Sequence, residues 1–529
     1  MKFDVSEKEF ISFAEERPAI VQLMSSMKTE CSPLDLYAAL DKKCAYLLES
    51  VEKEKKHARF SFVGSLPDAL VTIKNRSLTL DYTRRTNLIE FIKSSLEKVC
   101  EFNKPIKNIR KSEGRIKDGY DTMDALRAAF AASGVKFIGK GFDRQTFLGG
   151  AIGFCAYDMV YDCWLDIKAK KCSTPDVQFA LTTKTVVFDH LTDETYIVIT
   201  PFVFDGDDPG DVYRNAQVDA EKLASVVSHA KPLTAAKNKP SGMNCNMSKT
   251  DYEDAVRKAK KHIIDGDIFQ VVLSRRYEIT TDQTPLELYT ALRSVNPSPY
   301  MYLFEFNGTN IIGASPETLL SVHKRKAIIN PIAGTCPRGK DLDEDEAFAK
   351  EMLASEKERA EHVMLVDLGR NDVRMVSKGG TVKVEDFMSV LKYSHVQHIE
   401  STVSGMLREE CDQFDATRAI FPAGTLSGAP KIRAMEIIHD LEKDARGIYG
   451  GGAGYYSWNG DAYFAIVIRT IIKNGRKAIV QAGAGIVADS DPEYEYEETE
   501  RKMAAMIKAI GGVDEPVKKG QISPGVHQT

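Results

Sequence analysis

The sequence predicts a mixed α/β protein whose sheets are rich in antiparallel strands and flanked by helices. Short runs of β-branched and aromatic residues are bounded by Gly, Pro, Asn and Asp, as expected of strands. Segments with apolar residues three and four apart lie between these runs and predict helices. Two strand-like runs, 301–306 and 310–314, are separated by a short turn, which favours antiparallel pairing.

The first part of the chain, up to about residue 200, mixes both kinds of element. Strands are predicted at 69–75, 183–190 and 195–200, where β-branched residues are frequent. Residues 87–102 have the apolar spacing of a helix.

The second part begins with a helix whose N-cap is Ser248. A β-branched strand at 268–279 follows that helix. Further strands are predicted at 300–306, 310–315, 326–332, 454–458, 462–472 and 478–483. Further helices are predicted at 343–368, 415–421, 430–442 and 492–510.

Polar, turn-rich stretches mark the candidate linkers. They are 101–121, 205–212 and 229–250. The last stretch gives the best boundary, so we predict an N-terminal region of residues 1–240 and a second domain of residues 241–511. Residues 512–529 should form a flexible tail. We predict no internal repeat.

The bulk composition excludes several classes of protein. The chain has 529 residues, a net charge of −5, and 43% hydrophobic and 28% charged residues, as in ordinary soluble domains. A nucleic-acid binder more often carries a basic face, and no apolar run approaches the about 18–20 residues that span a bilayer. The nine cysteines are scattered without a C-x-x-C pair, which is typical of a reducing compartment. We therefore expect a cytoplasmic protein without nucleic-acid or membrane partners.

Two predicted helices each carry carboxylates on one face. Glu358 and Glu361 are three residues apart, and Glu495, Glu498 and Lys502 follow spacings of three and four, so each set shares a helix face. Mg²⁺ prefers oxygen ligands and usually takes one or two carboxylates from a protein. Acidic residues near a helix start can also simply complement the helix dipole, and spacing alone leaves both interpretations open.

Three glycine-rich loops could bring backbone N–H groups close to an anion. They are 422–431, 447–456 and 481–492. The last loop begins like a dinucleotide fingerprint at Gly483 and Gly485, but Pro492 and the residues before it interrupt the required passage into a helix. Each loop alone could be an ordinary turn, but together with Arg469 they favour a pocket for a small polycarboxylate.

A series of motifs across residues 250–510, about half of the chain, resembles the chorismate-utilising enzymes. In order, the motifs are GDIFQVVLSRR (266–276), GASPE (313–317), NPIAGT (330–335), EHVMLVDLGRND (361–372), PAGTLSGAPK (422–431), GGGAGYY (450–456), IVIRT (466–470), QAGAGIVADSDPEYEYEET (481–499) and Lys502. The resemblance implies the chorismate-binding fold for residues 241–511. Residues 1–240 are similar to the regulatory region of anthranilate synthase large subunits.

Two positions distinguish the reactions within this family. Ala333 stands where the similar aminodeoxychorismate synthases carry a nucleophilic lysine. Gln270 stands where isochorismate and salicylate synthases carry a lysine that activates water. With neither lysine present the nucleophile should be ammonia, so the resemblance is to the anthranilate synthases. Aminodeoxychorismate synthesis and a catalytically silent tryptophan sensor are the alternatives.

The resemblance also assigns binding roles. Glu361 and Glu498 would bind Mg²⁺, while Glu358 and Glu495 would hold its water shell. The residues that would bind chorismate are Gly334, Thr335, Tyr449, Arg469, Gly483, Ala484 and Gly485.

The catalytic roles come from the same resemblance. Glu317 would be the general acid that protonates the departing ring hydroxyl, and His398 would assist the elimination of pyruvate. Thr425, Lys502 and Gln270 would line the site.

The resemblance finally implies a partner and an inhibitor. This chain has no glutaminase-like Cys in a G-x-C-x-G turn, so a separate glutamine amidotransferase subunit would deliver ammonia within a heteromeric complex. The segments LLES (47–50) and NPSPYM (296–301) match the tryptophan feedback site of the family. The pocket would be formed by Glu49, Ser50, Pro299, Tyr300 and Met301.

Overall fold

The computed structural model describes residues 1–51, 59–104, 110–132, 134–231, 240, 242–392 and 396–511. The predicted tail at 512–529 and parts of the predicted linkers 101–121 and 229–250 lie outside the described residues.

Strands of the first half precede residue 240. They are β1 (Ala19–Val21), β2 (Leu23–Met27), β3 (Ala45–Glu49), β4 (Phe60–Gly64), β5 (Ala69–Lys74), β6 (Ser77–Tyr82), β7 (Cys100–Phe102), β8 (Lys111–Ile116), β9 (Lys136–Ile138), β10 (Gly150–Cys155), β11 (Val177–Thr182), β12 (Lys184–Asp189), β13 (Glu194–Ile199) and β14 (Phe202–Val203).

Strands of the second half are β15 (Met243–Cys245), β16 (Gln270–Thr280), β17 (Tyr300–Phe306), β18 (Thr309–Ser315), β19 (Thr318–His323), β20 (Lys326–Ile329), β21 (Ile332–Pro337), β22 (Lys383–Lys392), β23 (Val396–Met406), β24 (Gly428–Ala429), β25 (Gly452–Ser457), β26 (Ala462–Ile466), β27 (Thr470–Asn474) and β28 (Lys477–Ile486).

The helices are α1 (Glu7–Phe13), α2 (Pro33–Ala39), α3 (Asn87–Leu96), α4 (Thr122–Phe130), α5 (Val160–Cys163), α6 (Pro209–His229), α7 (Lys249–Ile264), α8 (Pro285–Val295), α9 (Leu342–Ala354), α10 (Glu356–Arg374), α11 (Gln413–Ile420), α12 (Lys431–Leu441) and α13 (Pro492–Ala509).

Two large sheets carry the fold. The first has 12 strands, ordered β15-β16-β28-β27-β18-β17-β3-β4-β12-β13-β2 with β24 on β16. The second has 13 strands, ordered β21-β23-β20-β19-β26-β25-β10-β11-β5-β6-β8-β7 with β22 on β23. Strands β17 and β18 pair antiparallel, as the turn between them predicted. The predicted mixed α/β class with antiparallel-rich sheets is confirmed.

The two sheets lie in the middle of four layers. One buried cluster takes side chains from both sheets, including Tyr46, Phe154, Ile311 and Tyr455, so it fills the space between them. A second cluster lies under α3, α4, α11 and α12 against the 13-stranded sheet. A third lies under α1, α2, α6, α8 and α13 against the 12-stranded sheet. Each sheet is therefore covered by helices on its outer face, which accounts for the many strands buried on both sides.

An approximate two-fold axis relates the two halves of the chain. From its centre, the 12-stranded sheet runs β17, β18, β27, β28, β16 on one side and β3, β4, β12, β13, β2 on the other. The 13-stranded sheet runs β25, β26, β19, β20, β23, β21 and β10, β11, β5, β6, β8, β7. Strands in equivalent places occur in the same order along the chain, so the fold is duplicated and the prediction of no internal repeat was wrong.

Equivalent segments also share sequence. The pairs are SPLDLYAAL (32–40) with TPLELYTAL (284–292), GSLPDALVTIKNR (64–76) with GASPETLLSVHKR (313–325), DTMDALRAAF (121–130) with DQFDATRAIF (412–421), GGAIGFCAYD (149–158) with GGGAGYYSWN (450–459), and DVQFALTTKTVV (176–187) with DAYFAIVIRTII (461–472). The separation varies from 249 residues (64 to 313) to 301 residues (149 to 450). A search for a repeat of fixed period misses this pattern because the connecting segments of the two halves differ in length.

Side-chain contacts obey the same two-fold relation. On α4, Arg127 lies 2.5 Å from Asp415 of α11, and on α11, Arg418 lies 2.6 Å from Asp124 of α4. Each helix therefore supplies the arginine for the other helix's acidic first turn, where a carboxylate also complements the helix dipole. This reciprocal bridge ties the two halves together beside the 13-stranded sheet.

Several predicted elements had wrong bounds. The strand predicted at 326–332 is two strands, since β20 ends at Ile329 and β21 begins at Ile332. The helix predicted at 343–368 is two helices, because Ser355 ends α9 and accepts a hydrogen bond from the Glu358 amide as the N-cap of α10. The helix predicted at 87–102 ends at Leu96, and the chain then pairs with β8 as strand β7. The strand predicted at 462–472 leaves one sheet after Ile466 and enters the other at Thr470.

The predicted domain boundary near residue 240 stays a prediction. Both large sheets contain strands from both sides of it, so the two halves share their sheets rather than standing apart.

Candidate active site

The candidate site lies where two neighbouring chain segments cross together from one sheet to the other. The first crossing joins β18 to β19 through Pro316 and Glu317, and the second joins β26 to β27 through Val467–Arg469. The Ala314 N–H donates to the Arg469 carbonyl at 3.2 Å, and the Ile466 N–H donates to the Glu317 carbonyl at 3.0 Å. Backbone hydrogen bonds therefore hold the predicted acid and the predicted substrate-binding arginine at one place.

Glu317 is placed as a general acid would need to be. The Thr425 hydroxyl donates to its Oε2 at 3.3 Å. Burial raises the pKa of Glu317, although Arg469, Lys502 and the Thr425 hydrogen bond act in the opposite direction. A raised pKa keeps a proton available at higher pH, which is the condition for acid catalysis.

The predicted substrate-binding residues surround this carboxyl. Tyr449 is buried, and its hydroxyl would lie 3.0 Å from a Cβ added at Gly483. The Lys502 ammonium donates to the Gly483 carbonyl at 3.0 Å and lies 2.6 Å from Glu498. Strand β28, which carries Gly483, Ala484 and Gly485, pairs with β16. The structure thus brings the third glycine loop, the predicted lysine and the end of α13 together.

His398 and the NPIAGT loop also meet. The ring Nδ1 lies 2.8 Å from the Gly334 carbonyl and 3.1 Å from the Thr335 hydroxyl. A carbonyl only accepts, so Nδ1 carries the proton and Nε2 is the basic nitrogen of the neutral ring. Burial and nearby Arg469 lower the pKa of His398, against a raising effect of the Gly334 hydrogen bond. The neutral ring is therefore favoured at neutral pH.

The predicted metal-binding carboxylates interact across two helices. Burial raises the pKa of Glu361 on α10, and the charges of Glu358 and Glu498 raise it further. Burial likewise raises the pKa of Glu495 on α13, with Glu498 adding to the effect. A Cβ at Gly334, which has φ of +66°, would lie 3.2 Å from Glu358 Oε2. The carboxylates therefore face the same space as the NPIAGT loop.

This donor set fits Mg²⁺ in chemistry. All four side chains offer hard oxygen atoms, and Mg²⁺ commonly takes only one or two protein carboxylates together with water and substrate oxygens. Within the described ranges no group of three His, Cys, Asp or Glu side chains lies close enough to hold a metal by itself. The two facing carboxylates would therefore need water or a substrate carboxylate to complete the coordination.

The two positions that distinguish the family's reactions are both in the interior. Gln270 is 3% exposed, and its Oε1 has no hydrogen-bond partner among the described residues. Its Nε2 would lie 2.6 Å from a Cβ added at Gly485, so Gln270 packs directly against the third glycine loop. Ala333 is 8% exposed in β21, and neither position offers a base.

The predicted tryptophan pocket lies at the centre of the 12-stranded sheet. Met301 of β17 pairs with Glu49 of β3, and the Ser50 hydroxyl donates to the Pro299 carbonyl at 3.1 Å. The Arg293 guanidinium lies 2.9 Å from the buried Glu49 carboxylate. The segments 47–50 and 296–301 are thus neighbours, as the resemblance required.

Two parts of the site have no counterpart in the sequence reasoning. A cavity of about 50 Å³ reaches from Glu317 and Thr425 to Asp372, whose buried carboxylate lies 2.6 Å from the Lys431 ammonium. This pair joins α10 to the loop at 422–431. Both residues belong to the family motifs, but the sequence assigned no role to either of them. The second part is Tyr463, whose hydroxyl donates to the Tyr300 hydroxyl at 2.6 Å. Sequence spacing could not indicate this contact, because the two residues lie far apart in the chain.

Comparisons with known proteins identify the family of this chain. Residues 89–508 match the family model described as chorismate binding enzyme. The chain is 46% identical to a Haloarcula marismortui protein named anthranilate synthase component 1 2, over 99% of both chains. It is 42% identical to anthranilate synthase component 1 of Thermococcus kodakarensis, over 90% of this chain and 97% of that one.

Solved structures share the fold. Anthranilate synthase component I from Streptococcus pneumoniae TIGR4 superposes with a TM-score of 0.67 at 32% identity, covering 91% of this chain and 98% of that one. A menaquinone-specific isochorismate synthase from Escherichia coli has a TM-score of 0.64 at 17% identity, covering 95% and 98%. Among the described residues, no helix is both long and apolar enough to cross a membrane.

Proposed function

This chain belongs to the chorismate-binding enzymes and, within them, to the anthranilate synthase component 1 group, and on that premise we propose that it converts chorismate and ammonia into anthranilate and pyruvate. The reaction would be the entry to tryptophan synthesis. A separate glutamine amidotransferase subunit would supply the ammonia, and tryptophan would inhibit the reaction.

One observation carries the choice among the reactions of this family. Gln270 and Ala333 are both buried at the site, and neither can act as a base or as a nucleophile. The nucleophile must therefore enter as a separate molecule that needs no activation, and ammonia meets that condition. The Oε1 of Gln270 has no hydrogen-bond partner in the described part of the chain, so it is an acceptor that an ammonia N–H can use.

In the first step Glu317 acts as the acid. The ammonia lone pair forms a C–N bond to the ring, the double bonds shift, and the C–O bond to the ring hydroxyl breaks. The proton of Glu317 moves to the departing oxygen, which leaves as water. The new ammonium group loses one proton to solvent and Glu317 regains one, so the step is neutral overall.

In the second step the ring becomes aromatic. A ring C–H proton is removed, the bond between the ring carbon and the ether oxygen breaks, and the methylene carbon of the departing enolpyruvate takes up a proton, which gives pyruvate. His398 would assist this transfer through Nε2, because its Nδ1 is held by the Gly334 carbonyl. Arg469, Tyr449, Thr335 and the glycine loops would hold the substrate's carboxylates in place, and positioning of this kind lowers barriers by several kcal/mol.

Mg²⁺ would be held by Glu361 and Glu498, with Glu358 and Glu495 around its water. When bound, the ion would neutralise and anchor the ring carboxylate of chorismate. Lys502, which lies 2.6 Å from Glu498, would then turn more fully to the Gly483 carbonyl and the substrate.

The test is a reaction of the purified chain with chorismate, Mg²⁺ and ammonium salt at mildly alkaline pH. We expect anthranilate and pyruvate in equal amounts, identified by fluorescence and mass, and loss of turnover with EDTA that is restored by Mg²⁺. Isochorismate or aminodeoxychorismate as product would mean that the interpretation of Gln270 and Ala333 is wrong. No turnover, with tryptophan still bound, would instead favour the sensor.

The substitution Ala333→Lys tests the same point from the other side. A lysine there would place an amine beside the substrate, and we expect lost or altered product. The control is Ala333→Ser, which adds a small side chain without a basic group. Unchanged anthranilate output from the lysine variant would refute the role of this position.

A further inference from the structure

A cluster of three hydroxyl groups joins the predicted tryptophan pocket to the turn that carries Glu317. The Tyr463 hydroxyl donates to the Tyr300 hydroxyl at 2.6 Å. The Thr318 hydroxyl donates to the same oxygen at 2.9 Å and lies 3.3 Å from the Tyr463 hydroxyl. Tyr300 belongs to the predicted pocket, and Thr318 follows Glu317 directly.

The side chains of this cluster are packed closely against one another. Thr318 is 8% exposed, and the rings of Tyr300 and Tyr463 are 5.5 Å apart. Burial raises the pKa of Tyr463 well above its usual range, so the phenol stays neutral and keeps its proton to donate. Thr318 is buried and the two tyrosines are partly buried, so hydrogen bonds among these hydroxyls are costly to leave unmade and the three groups hold one another in a fixed arrangement.

A β-bulge interrupts the strand pairing at this point. Thr318 pairs with Ala465 and Leu320 with Phe464, so the register between β19 and β26 shifts by one residue beside Glu317. Bulges occur next to active sites, where they re-aim a side chain. The hydroxyl of Thr318 therefore helps to set the direction in which the neighbouring carboxyl points.

The duplicated half of the molecule provides an internal contrast. Cys44, Ala69 and Gln178 stand at the places equivalent to Tyr300, Thr318 and Tyr463. There the pairing of β5 with β11 runs without a register shift. The half that lacks the catalytic residues thus lacks both the hydroxyl cluster and the bulge.

We propose that Tyr463 is a positioning residue that holds Thr318, and through it Glu317, in the catalytic arrangement, and that tryptophan acts on Glu317 by displacing the Tyr300 hydroxyl from this cluster. The inference rests on the proposed function and names how its regulation reaches the acid. Tyr463 touches neither substrate nor inhibitor in this account. Its effect passes through two hydrogen bonds.

The test compares the variant Tyr463→Phe with Tyr455→Phe in the full chain. Tyr455 is buried and stacks on Tyr463 with ring centres 6.3 Å apart, but its hydroxyl takes no part in the cluster. In the ammonia-dependent reaction we expect Tyr463→Phe to lower kcat by about tenfold with the KM for chorismate nearly unchanged. The tryptophan concentration that halves the activity should rise by about tenfold, while calorimetry without chorismate should still show tryptophan binding. Tyr455→Phe should match the wild type in all of these quantities.

Thr318 provides the second pair of variants. Thr318→Ser keeps the hydroxyl and should keep both kcat and inhibition, whereas Thr318→Val should repeat the loss seen for Tyr463→Phe. Wild-type kcat and wild-type inhibition in Tyr463→Phe would overturn the proposal. A loss shared equally by the serine and valine variants would overturn it too, because the hydroxyl would then be irrelevant.

Failure of the proposed function gives different results. If the wild-type chain makes no anthranilate, the reaction assignment is wrong. If the wild type is active but tryptophan neither binds nor inhibits it, the regulatory part of both proposals falls, and kcat in Tyr463→Phe and Thr318→Val still decides the positioning role.

Discussion

The substitution Asp158→Asn should stabilise this protein, and the gain should depend on pH. Asp158 is 6% exposed, and neither oxygen of its carboxylate makes a hydrogen bond of good geometry among the described residues. Burial raises its pKa from the ordinary 3.8 to about 6, with nearby Asp176 adding to the rise and with Lys74, the Gly447 backbone and Cys172 opposing it. In the other half of the molecule the equivalent residue is Asn459, whose amide donates to Asp461 at 3.1 Å.

The magnitude follows from the two pKa values. The folded state holds this proton more tightly than the unfolded chain, so the associated stability is complete below pH 3.8 and is lost as pH rises through about 6. A difference of this size corresponds to about 3 kcal/mol at pH 8. Asparagine cannot ionise and therefore avoids this loss. It can also donate to Asp176, as Asn459 does to Asp461.

Urea unfolding at several pH values measures the effect, with the two tryptophans as fluorescence probes. We expect Asp158→Asn to raise the unfolding midpoint at pH 8 by an amount equivalent to about 2–3 kcal/mol, and to have little effect at pH 4. The matched control is Asn459→Asp, which places a second carboxylate beside Asp461 and should destabilise the protein at pH 8. An Asp158→Asn variant with no gain at pH 8, or with the same gain at both pH values, would refute the reasoning.

Three further predictions concern the candidate site and the ion pairs between α4 and α11. Glu317→Gln should lower kcat by about 10²–10⁴-fold with a small change in the KM for chorismate. Because burial raises the pKa of Glu317, the wild-type kcat at constant free ammonia should fall as pH rises through that pKa. A kcat that does not change with pH would contradict the acid role. Gly485→Ala puts a Cβ 2.6 Å from the Gln270 side chain. The KM for ammonia should therefore rise by about tenfold, while tryptophan binding is unchanged. An unaltered KM for ammonia would mean that Gln270 does not belong to the ammonia site. Arg418→Met removes the guanidinium beside the partly buried carboxylates of Asp121 and Asp124 and leaves Asp124 with only its 3.4 Å ion pair to Arg127 among the described residues. This should cost about 1–3 kcal/mol in urea unfolding at pH 7. A smaller loss is expected at pH 3, because the carboxyls are then protonated, and an equal loss at both pH values would contradict the ion-pair explanation.

The sequence predicts the fold class because its strand and helix patterns are local. The pairing of β17 with β18 follows from a short turn, and Ser248 caps its helix as expected because the capping contacts lie within three residues. The breaks at Ser355 and after Ile466 were missed for a physical reason. Good helix formers continue on both sides of Ser355, and β-branched residues continue past Ile466, so residue propensity does not show that one helix ends there or that one strand changes sheets.

The candidate site likewise has features that the sequence could predict and features that it could not. The motifs predicted which residues meet, and the structure brings Glu317, Thr425, Arg469 and Lys502 to one place. Spacing could not predict that Tyr463 would touch Tyr300, since 163 residues separate them. Nor could it reveal the duplication, because the matching segments lie at varying separations. Aligning the chain with itself would have found the shared D-x-x-D-A-x-R-A-x-F pattern.

The shared sheets restrict how this protein can be divided experimentally. A chain cut near residue 240 would leave β17 and β25 of the second half without their neighbours β3 and β10, and unpaired strand edges are templates for association with other chains. The neighbouring edges are self-complementary around Leu303 and Gly454, which pair with Leu47 and Gly153 at the two-fold axis. Isolated halves should therefore aggregate or pair with their own copies, whereas co-expression of both pieces should restore the parent by fragment complementation. Truncation is thus a poor route to an isolated regulatory region or an isolated catalytic unit.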